Sequence, residues 1–411
     1  MTSRERVLAT VNHEAPDRVP IDLGGMTSTG ISARSYDKLK ALVGMRTPTR
    51  VLDPLLMIAI VEQEVLKRFH GDVMPVNVPY IPAAGASDAS CVARTLSDGT
   101  PVLFPPGTRI REEADGAWTL LKPDGTPTNM RMPRDGYYFD DTTFNRGAGI
   151  DPARFHPTSE IPEETLRALE EYSGRLYRET DYALLGWGYA INFLGLSISF
   201  DPASSITQGQ PDEWMMMLMT EKETCHEMMD RAVDAAIKCL GLVEQAAGKY
   251  CFAWGVASDD SGTQRGEFIS PDLWAEMIKP HYTRLCSWVH SHSKMKTFMH
   301  SCGSIPHLIP HLIEAGIDII NPVQTSAAGM DPATLKRQFG DKIVFWGGGC
   351  DTQSVLPNAT PEEVKKHVKE RLGIFAPGGG FTFSQVHNIQ AKVPPENILA
   401  MLEAAFEYGG Y

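Results

Sequence analysis

Short apolar, β-prone runs recur along this chain with amphipathic stretches between them, and that alternation restricts the fold more than any other feature. The runs are Arg18–Leu23, Asp72–Val78, Tyr182–Gly188, Tyr250–Val256, Lys296–His300, Ile317–Asn321, Ile343–Gly347 and Gly380–Gln385. Helical periodicity marks Pro162–Tyr177, Pro271–His292, Pro361–Ile374 and Pro395–Tyr408. Ser270-Pro271 and Thr360-Pro361 open two of these with a capping hydroxyl and then proline at the first helical position. Several runs are apolar on both faces, as in a parallel sheet covered by helices. Eight strands close a TIM barrel, so an α/β TIM (β/α)8 barrel with an N-terminal helical extension is expected. A doubly wound open sheet is the alternative.

One segment breaks the rhythm. Residues 93–133 hold Ser97-Asp98-Gly99-Thr100, Ala114-Asp115-Gly116 and Pro123-Asp124-Gly125-Thr126 between β-prone runs. Asp-Gly supplies the positive φ angles of tight hairpins. A β-hairpin insertion is expected there, serving as a lid or an interface arm, within a single domain spanning 1–411. Residues 131–160, rich in Pro, Asp and Arg, read as a long ordered loop.

With 42% hydrophobic residues in 411, the chain can bury a large core without metal or disulfide support. Lys and Arg number 38 against 51 Asp and Glu, for a formal charge of -13. Such a balance lacks the basic footprint of a nucleic-acid or anionic-membrane binder. No run approaches the ~18 apolar residues of a membrane span. The charged opening Thr2-Ser3-Arg4-Glu5-Arg6 does not read as a signal peptide. Seven scattered cysteines read as reduced thiols in a cytoplasm. No phosphate-binding Gly-x-x-x-x-Gly-Lys loop, dinucleotide Gly-x-Gly-x-x-Gly or Gly-x-Ser-x-Gly elbow is present.

In a barrel, chemistry collects where strands end. Reading those ends gives Asp22, Trp187, Tyr189, Asp259, Asp260, His300, Cys302, Asn321, Gln324, Cys350, Asp351 and His387. Residues i and i+2 of an extended segment share a face, so His300 and Cys302 can reach one ion. Cys350, after Gly347-Gly348-Gly349, can approach from another strand end. One imidazole and two thiolates suit zinc and leave a fourth position open. The competing reading is two buried structural cysteines and a satisfied histidine. His387 is open between ligand, general base and capping donor. Asp259 and Asp260 can orient a ligand or simply shape a turn. Trp187, Tyr189, Trp254 and Trp346 can line a pocket or fill the core. The methionine-rich stretch Trp214-Met215-Met216-Met217-Leu218-Met219, with Met228-Met229 after it, reads as core packing.

The opening Thr2-Ser3-Arg4-Glu5-Arg6-Val7-Leu8 with His13-Glu14-x-Pro16-Asp17-Arg18-Val19-Pro20 resembles the uroporphyrinogen decarboxylase superfamily. So do Ser258-Asp259-Asp260, Ser270-Pro271, His300-x-Cys302-Gly303, Asn321-Pro322 and Phe345–Asp351. The stretch from Gly378-Gly379-Gly380-Phe381 to Pro394-Pro395-Glu396-Asn397 is similar to the cobalamin-dependent methyltransferase branch. True decarboxylases carry an Arg-rich N-terminal segment that grips the substrate's carboxylates. Here that region reads Ile21-Asp22-Leu23-Gly24-Gly25-Met26-Thr27, with no arginine until Arg34.

The methyltransferase resemblance implies zinc held by His300, Cys302 and Cys350. In coenzyme M methyltransferases the second cysteine lies nearer the C-terminus, where this chain has Val386-His387-Asn388, so His387 is the other candidate. Catalytic roles are expected for Asp259, Asp260 and His387, and cofactor or substrate contacts at Asp22, Trp187, Tyr189, Asn321 and Gln324. The implied activity moves a methyl group between a small molecule (methyl ether, methoxy-aromatic or thiol) and cobalamin. The chain has no Asp-x-His-x-x-Gly corrinoid motif, so the corrinoid is expected on a separate carrier protein. A metal-independent decarboxylase and a non-catalytic corrinoid- or ligand-binding protein are the rivals, and a homodimer is left open.

Overall fold

The protein is described from a computed structural model covering residues 1–142, 149–194 and 205–411. Among these residues seven parallel strands form the central sheet: β1 Val73–Asn77, β2 Ala183–Trp187, β3 Cys251–Ser258, β4 Lys296–His300, β5 Ile319–Asn321, β6 Val344–Trp346 and β7 Phe381–Thr382. Each pairs with the next in chain order, and helices fill the crossovers between them from β2 onward. Burial along β3 is nearly unbroken, as a sheet covered on both faces requires. One set of alternate side chains faces the helices. The other gathers Val73, Ala183, Leu185, Phe298, Ile319, Val344 and Trp346 into an inner cluster that also receives Val7 and Val11 of the helix Ser3–Val11.

The first run expected as a strand, Arg18–Leu23, forms no regular strand but does a strand's work. Phe383 N donates to Pro20 O and Asp22 N donates to Phe383 O, each at 2.8 Å. Across the other side Asp72 N donates to Ile21 O at 2.8 Å. Residues 20–22 therefore tie the β7 side of the sheet to the β1 side.

In the stretch expected to hold hairpins, Val92–Thr95 pairs antiparallel with Pro101–Phe104, and a meander follows through Ile110–Glu112, Trp118–Leu121, Pro127–Met132 and Asp140–Asp141. Gly99, Gly116 and Gly125 all turn with positive φ, at 86°, 77° and 86°. The β-rich region starts earlier than 93, because Thr49–Asp53 pairs in parallel with Pro101–Phe104 and antiparallel with Ile58–Ala59. Of the long loop expected over 131–160, the part at 143–148 lies outside the described residues. The helix expected over Pro271–His292 is two helices, Pro271–Met277 and Lys279–His292. Pro280 has no N–H to offer the preceding turn, and the break falls there. Met217, Met228 and Met229 are buried, as core packing predicts, while Met216 and Met219 are exposed. No helix of the described residues is long and apolar enough to cross a membrane.

Candidate metal centre

His300 is the last residue of β4, and parallel register sets it between Ser258 and Asn321. The loop it enters is pinned from both sides. Ser301 N donates to Asn321 O (2.7 Å), Cys302 N to Asp260 Oδ1 (2.8 Å) and Gly303 N to Gln324 Oε1 (2.8 Å). Gly303 has φ 93° and packs on the Gly262 backbone, where a Cβ would lie 2.1 Å from the Gly262 oxygen. Only glycine lets these two loops approach so closely.

Pinned in this way, Cys302 turns its Sγ to 3.4 Å from His300 Nε2. His387, arriving from beyond β7, places its ring 5.6 Å from that of His300 at a steep angle. The ligand atoms of His300, Cys302 and His387 all lie within 4.8 Å of one another. No other trio of His, Cys, Asp or Glu does so among the described residues. His300 Nδ1 is 2.8 Å from Asn321 Oδ1, and His387 Nδ1 is 3.0 Å from Asn388 Oδ1. Asp260 Oδ1 stands 3.6 Å from His300 Nε2 on a side chain that is 40% exposed.

Burial, with His300 alongside, pushes His387 down to about 4, so it is a neutral imidazole at pH 7. Burial and the Asp260 carboxylate push the Cys302 thiol well above its ordinary value. A thiol in that setting becomes a thiolate only beside a cation. Two imidazoles and one thiol, converging at short range with both ring Nδ1 atoms already engaged, are a donor set of the kind zinc takes.

Two expected residues stand apart from the trio. Cys350 does not join the trio: it is fully buried in the apolar core, its Sγ reaching the Asp351 carbonyl at 4.0 Å, and burial pushes its thiol up. Asp259 turns away from the trio, although its neighbour faces it. Its Oδ1 accepts from Leu194 N (2.8 Å) and its Oδ2 from Tyr282 OH (2.7 Å), with no exposure. Burial raises it to about 6.

The remaining expected residues fall into two groups. Gln324 and Asn321 brace the His300 loop, as described. Asp22 is buried, its carboxylate accepting from Trp346 Nε1 and Gly25 N at 2.7 Å each. Trp187 and Tyr189 are half-buried at the end of β2, with Tyr189 at φ 62°. Trp254 and Trp346 are fully buried and belong to the core. Asp351 accepts from Gln353 N and Ser354 N and shapes a turn. Asn388 and Ser28 were not foreseen as site residues. Asn388 had one local signal, its place directly after His387, whereas Ser28 had none.

A parallel α/β sheet whose strand ends bring a His-x-Cys pair and a distant histidine together defines the class to which this chain belongs. The sequence model of the Uroporphyrinogen decarboxylase (URO-D) family matches residues 195–408, and the chain is a member of that family. Among curated relatives, the uroporphyrinogen decarboxylase of Psychromonas ingrahamii is 26% identical over 195 residues, 46% of this chain and 50% of the relative. A methylated-thiol–coenzyme M methyltransferase of Methanosarcina mazei is 24% identical over 151 residues, 37% of each chain. These matches span half or less of the length of either relative. A solved methyltransferase structure from Methanosarcina mazei shares the fold over 99% of both chains, with a TM-score of 0.54 and 14% identity.

Proposed function

We propose that this chain is a zinc-dependent methyltransferase moving a methyl group between a small molecule and a corrinoid carried on a separate protein. The small molecule is a methyl ether, a methoxy-aromatic or a thiol, with O-demethylation as one form of the reaction. The observation that carries the reading is the His300–Cys302–His387 trio at the carboxyl end of the sheet, where barrel enzymes place their chemistry. The sheet is read as a TIM barrel within one domain, its edges joined through residues 20–22. The methyltransferase relative and the structural neighbour support the same branch.

His300 and His387 would hold the ion through Nε2 and Cys302 through Sγ. Zinc bound there supplies a Lewis acid for the substrate's oxygen or sulfur. Asp260, partly exposed beside the trio, fixes the Cys302 backbone and is placed to orient a ligand or contact the ion. Trp187 and Tyr189 offer an apolar wall to a small aromatic substrate. The corrinoid carrier would dock at this open end.

The decarboxylase relatives favour a second reading, decarboxylation of a porphyrinogen-like acid without metal. A polycarboxylate needs cations at the mouth, and residues 21–27 supply none. Arg34, the first arginine beyond them, is paired with Asp98 at 3.0 Å.

Metal analysis of the purified protein, followed by methyl transfer to free Co(I) cobalamin from a panel of methoxylated aromatics, ethers and methyl thioethers, tests the reading. One zinc per chain is expected, lost in Cys302→Ser and His387→Ala with turnover, and kept in Cys350→Ala. Full zinc in Cys302→Ser would overturn the ligand set. Turnover of a porphyrinogen by metal-free protein would replace the methyltransferase reading with the decarboxylase one.

A further inference from the structure

Resting on the metal-centre reading, we infer that Asn321, braced by Ser28, is a positioning residue that locks His300 in the tautomer with hydrogen on Nδ1. The carboxamide of Asn321 has one orientation open to it. Its Nδ2 donates to the Trp346 backbone carbonyl at 2.8 Å, and a carbonyl can only accept. Its Oδ1 therefore faces the other way, where it accepts from Ser28 Oγ at 2.8 Å. His300 Nδ1 lies 2.8 Å from that same oxygen. An amide oxygen offers no hydrogen, so the hydrogen in this bond belongs to Nδ1. A neutral imidazole then carries its lone pair on Nε2, the atom that faces Cys302 Sγ at 3.4 Å.

The brace reaches back to the N-terminal part of the chain. Ser28 sits in the short turn Thr27–Thr29 and is 4% exposed. The same turn receives Gln385 Nε2 on the Thr29 carbonyl at 2.9 Å. Gln385 lies two residues before His387, so this turn steadies the segments bearing both histidines. His387 has its own amide oxygen at Asn388, which also accepts from Gln390 Nε2. Each ring nevertheless has its own amide oxygen, so removing that of Asn321 should leave that of Asn388 in place.

Both parts of the arrangement are uncharged, which distinguishes it from a carboxylate clamp. It fixes ring direction and tautomer without adding negative charge beside the ion. Loss of such an outer partner weakens metal affinity by roughly 10–100-fold.

Long-range 1H–15N correlation spectra of metal-free protein labelled at the histidine ring nitrogens, taken near pH 8, read the tautomer directly. His300→Gln assigns the His300 signals. The wild type should show hydrogen on Nδ1 of His300. Asn321→Leu should move that hydrogen to Nε2 for a large fraction of molecules, leave His387 unchanged, and weaken zinc in a chelator competition by roughly 10–100-fold. Asn321→Asp should restore the Nδ1 tautomer, since a carboxylate oxygen accepts from Nδ1 as the amide oxygen does. Ser28→Ala should give a smaller loss of zinc affinity with the same melting temperature.

Hydrogen on Nε2 of His300 in the wild type would overturn the inference outright. So would an Asn321→Leu protein with unchanged tautomer and zinc affinity. If Asn321→Leu does not fold, the wild-type spectrum and Ser28→Ala decide the matter. A wild type that binds no zinc yet shows the Nδ1 tautomer would sink the metal reading and leave the clamp standing.

Discussion

Asp22 shows how a residue can be singled out from its place at a strand end and still have its part set by surroundings that no local pattern describes. It is 1% exposed, and its carboxylate holds the Trp346 indole and the Gly25 amide. Burial outweighs those bonds and raises its pKa from 3.8 to about 6. The folded protein then binds this proton more tightly than the unfolded chain, so stability from Asp22 is present below pH 3.8 and is lost as pH rises toward about 6. Relative to wild type, Asp22→Asn should be more stable at pH 7 than at pH 4, measured by urea unfolding at both. An equal difference at the two values would show that the shift is not there. The same scale explains the Asp259-Asp260 pair. Adjacent carboxylates look alike in the sequence, yet Tyr282 and the Leu194 amide claim one while the Cys302 amide claims the other.

At the scale of elements, β2 and β3 are matched through glycine and tryptophan. A Cβ on Gly186 would lie 1.9 Å from the Trp254 ring, and one on Gly255 would lie 2.0 Å from the Trp187 ring. Each tryptophan lies flat against a glycine of the neighbouring strand, Trp254 among the buried core residues and Trp187 toward the open end. Gly186→Ala should cost roughly 1–3 kcal/mol by overpacking, visible as a lower urea midpoint with unchanged slope. Gly255→Ala should displace Trp187 and so raise KM for an aromatic substrate more than it lowers melting temperature. An unchanged KM would remove Trp187 from the substrate wall. The strand runs and their apolar faces were legible from alternation and β propensity. Which tryptophan would serve the core was not, because both stand on strands that are covered on two faces.

The whole molecule depends on how the sheet's two edges meet. Asp72, fully buried, accepts from Arg6 (2.7 Å), Arg18 (2.7 Å) and the Ile21 amide (2.8 Å). It joins the helix Ser3–Val11, the 18–22 segment and the start of β1 in one cluster. Asp72→Ala leaves a buried amide and two guanidinium groups short of their partner, and should cost roughly 3–5 kcal/mol. Urea unfolding checks it, and a loss below about 1 kcal/mol, the scale of an exposed pair, would show that the cluster does not hold the edges together. Asp17 and Arg18, part of the opening that resembles the superfamily, thus take a structural part here. Asp17 pairs with Arg6, which holds its carboxyl well below the usual range.

Local physics was enough to place the strands and most helices, to put His300 and Cys302 on one face at a strand end, and to mark the Asp-Gly hairpins. Each of these follows from the period of an extended or helical chain, or from a turn residue, and needs only neighbours in sequence. The choice between Cys350 and His387 had no such basis. Both stand past a strand end, Cys350 directly after three glycines and His387 not, and either spacing suits a dispersed site. Tertiary structure sets the two apart, because β7 is brought round to the first segment by bonds between Phe383 and residues 20–22. That packing carries His387 to His300 and seals Cys350 in the core. Ser28 was invisible for the same reason: its bond to Asn321 spans 293 positions, and only the folded sheet makes them neighbours.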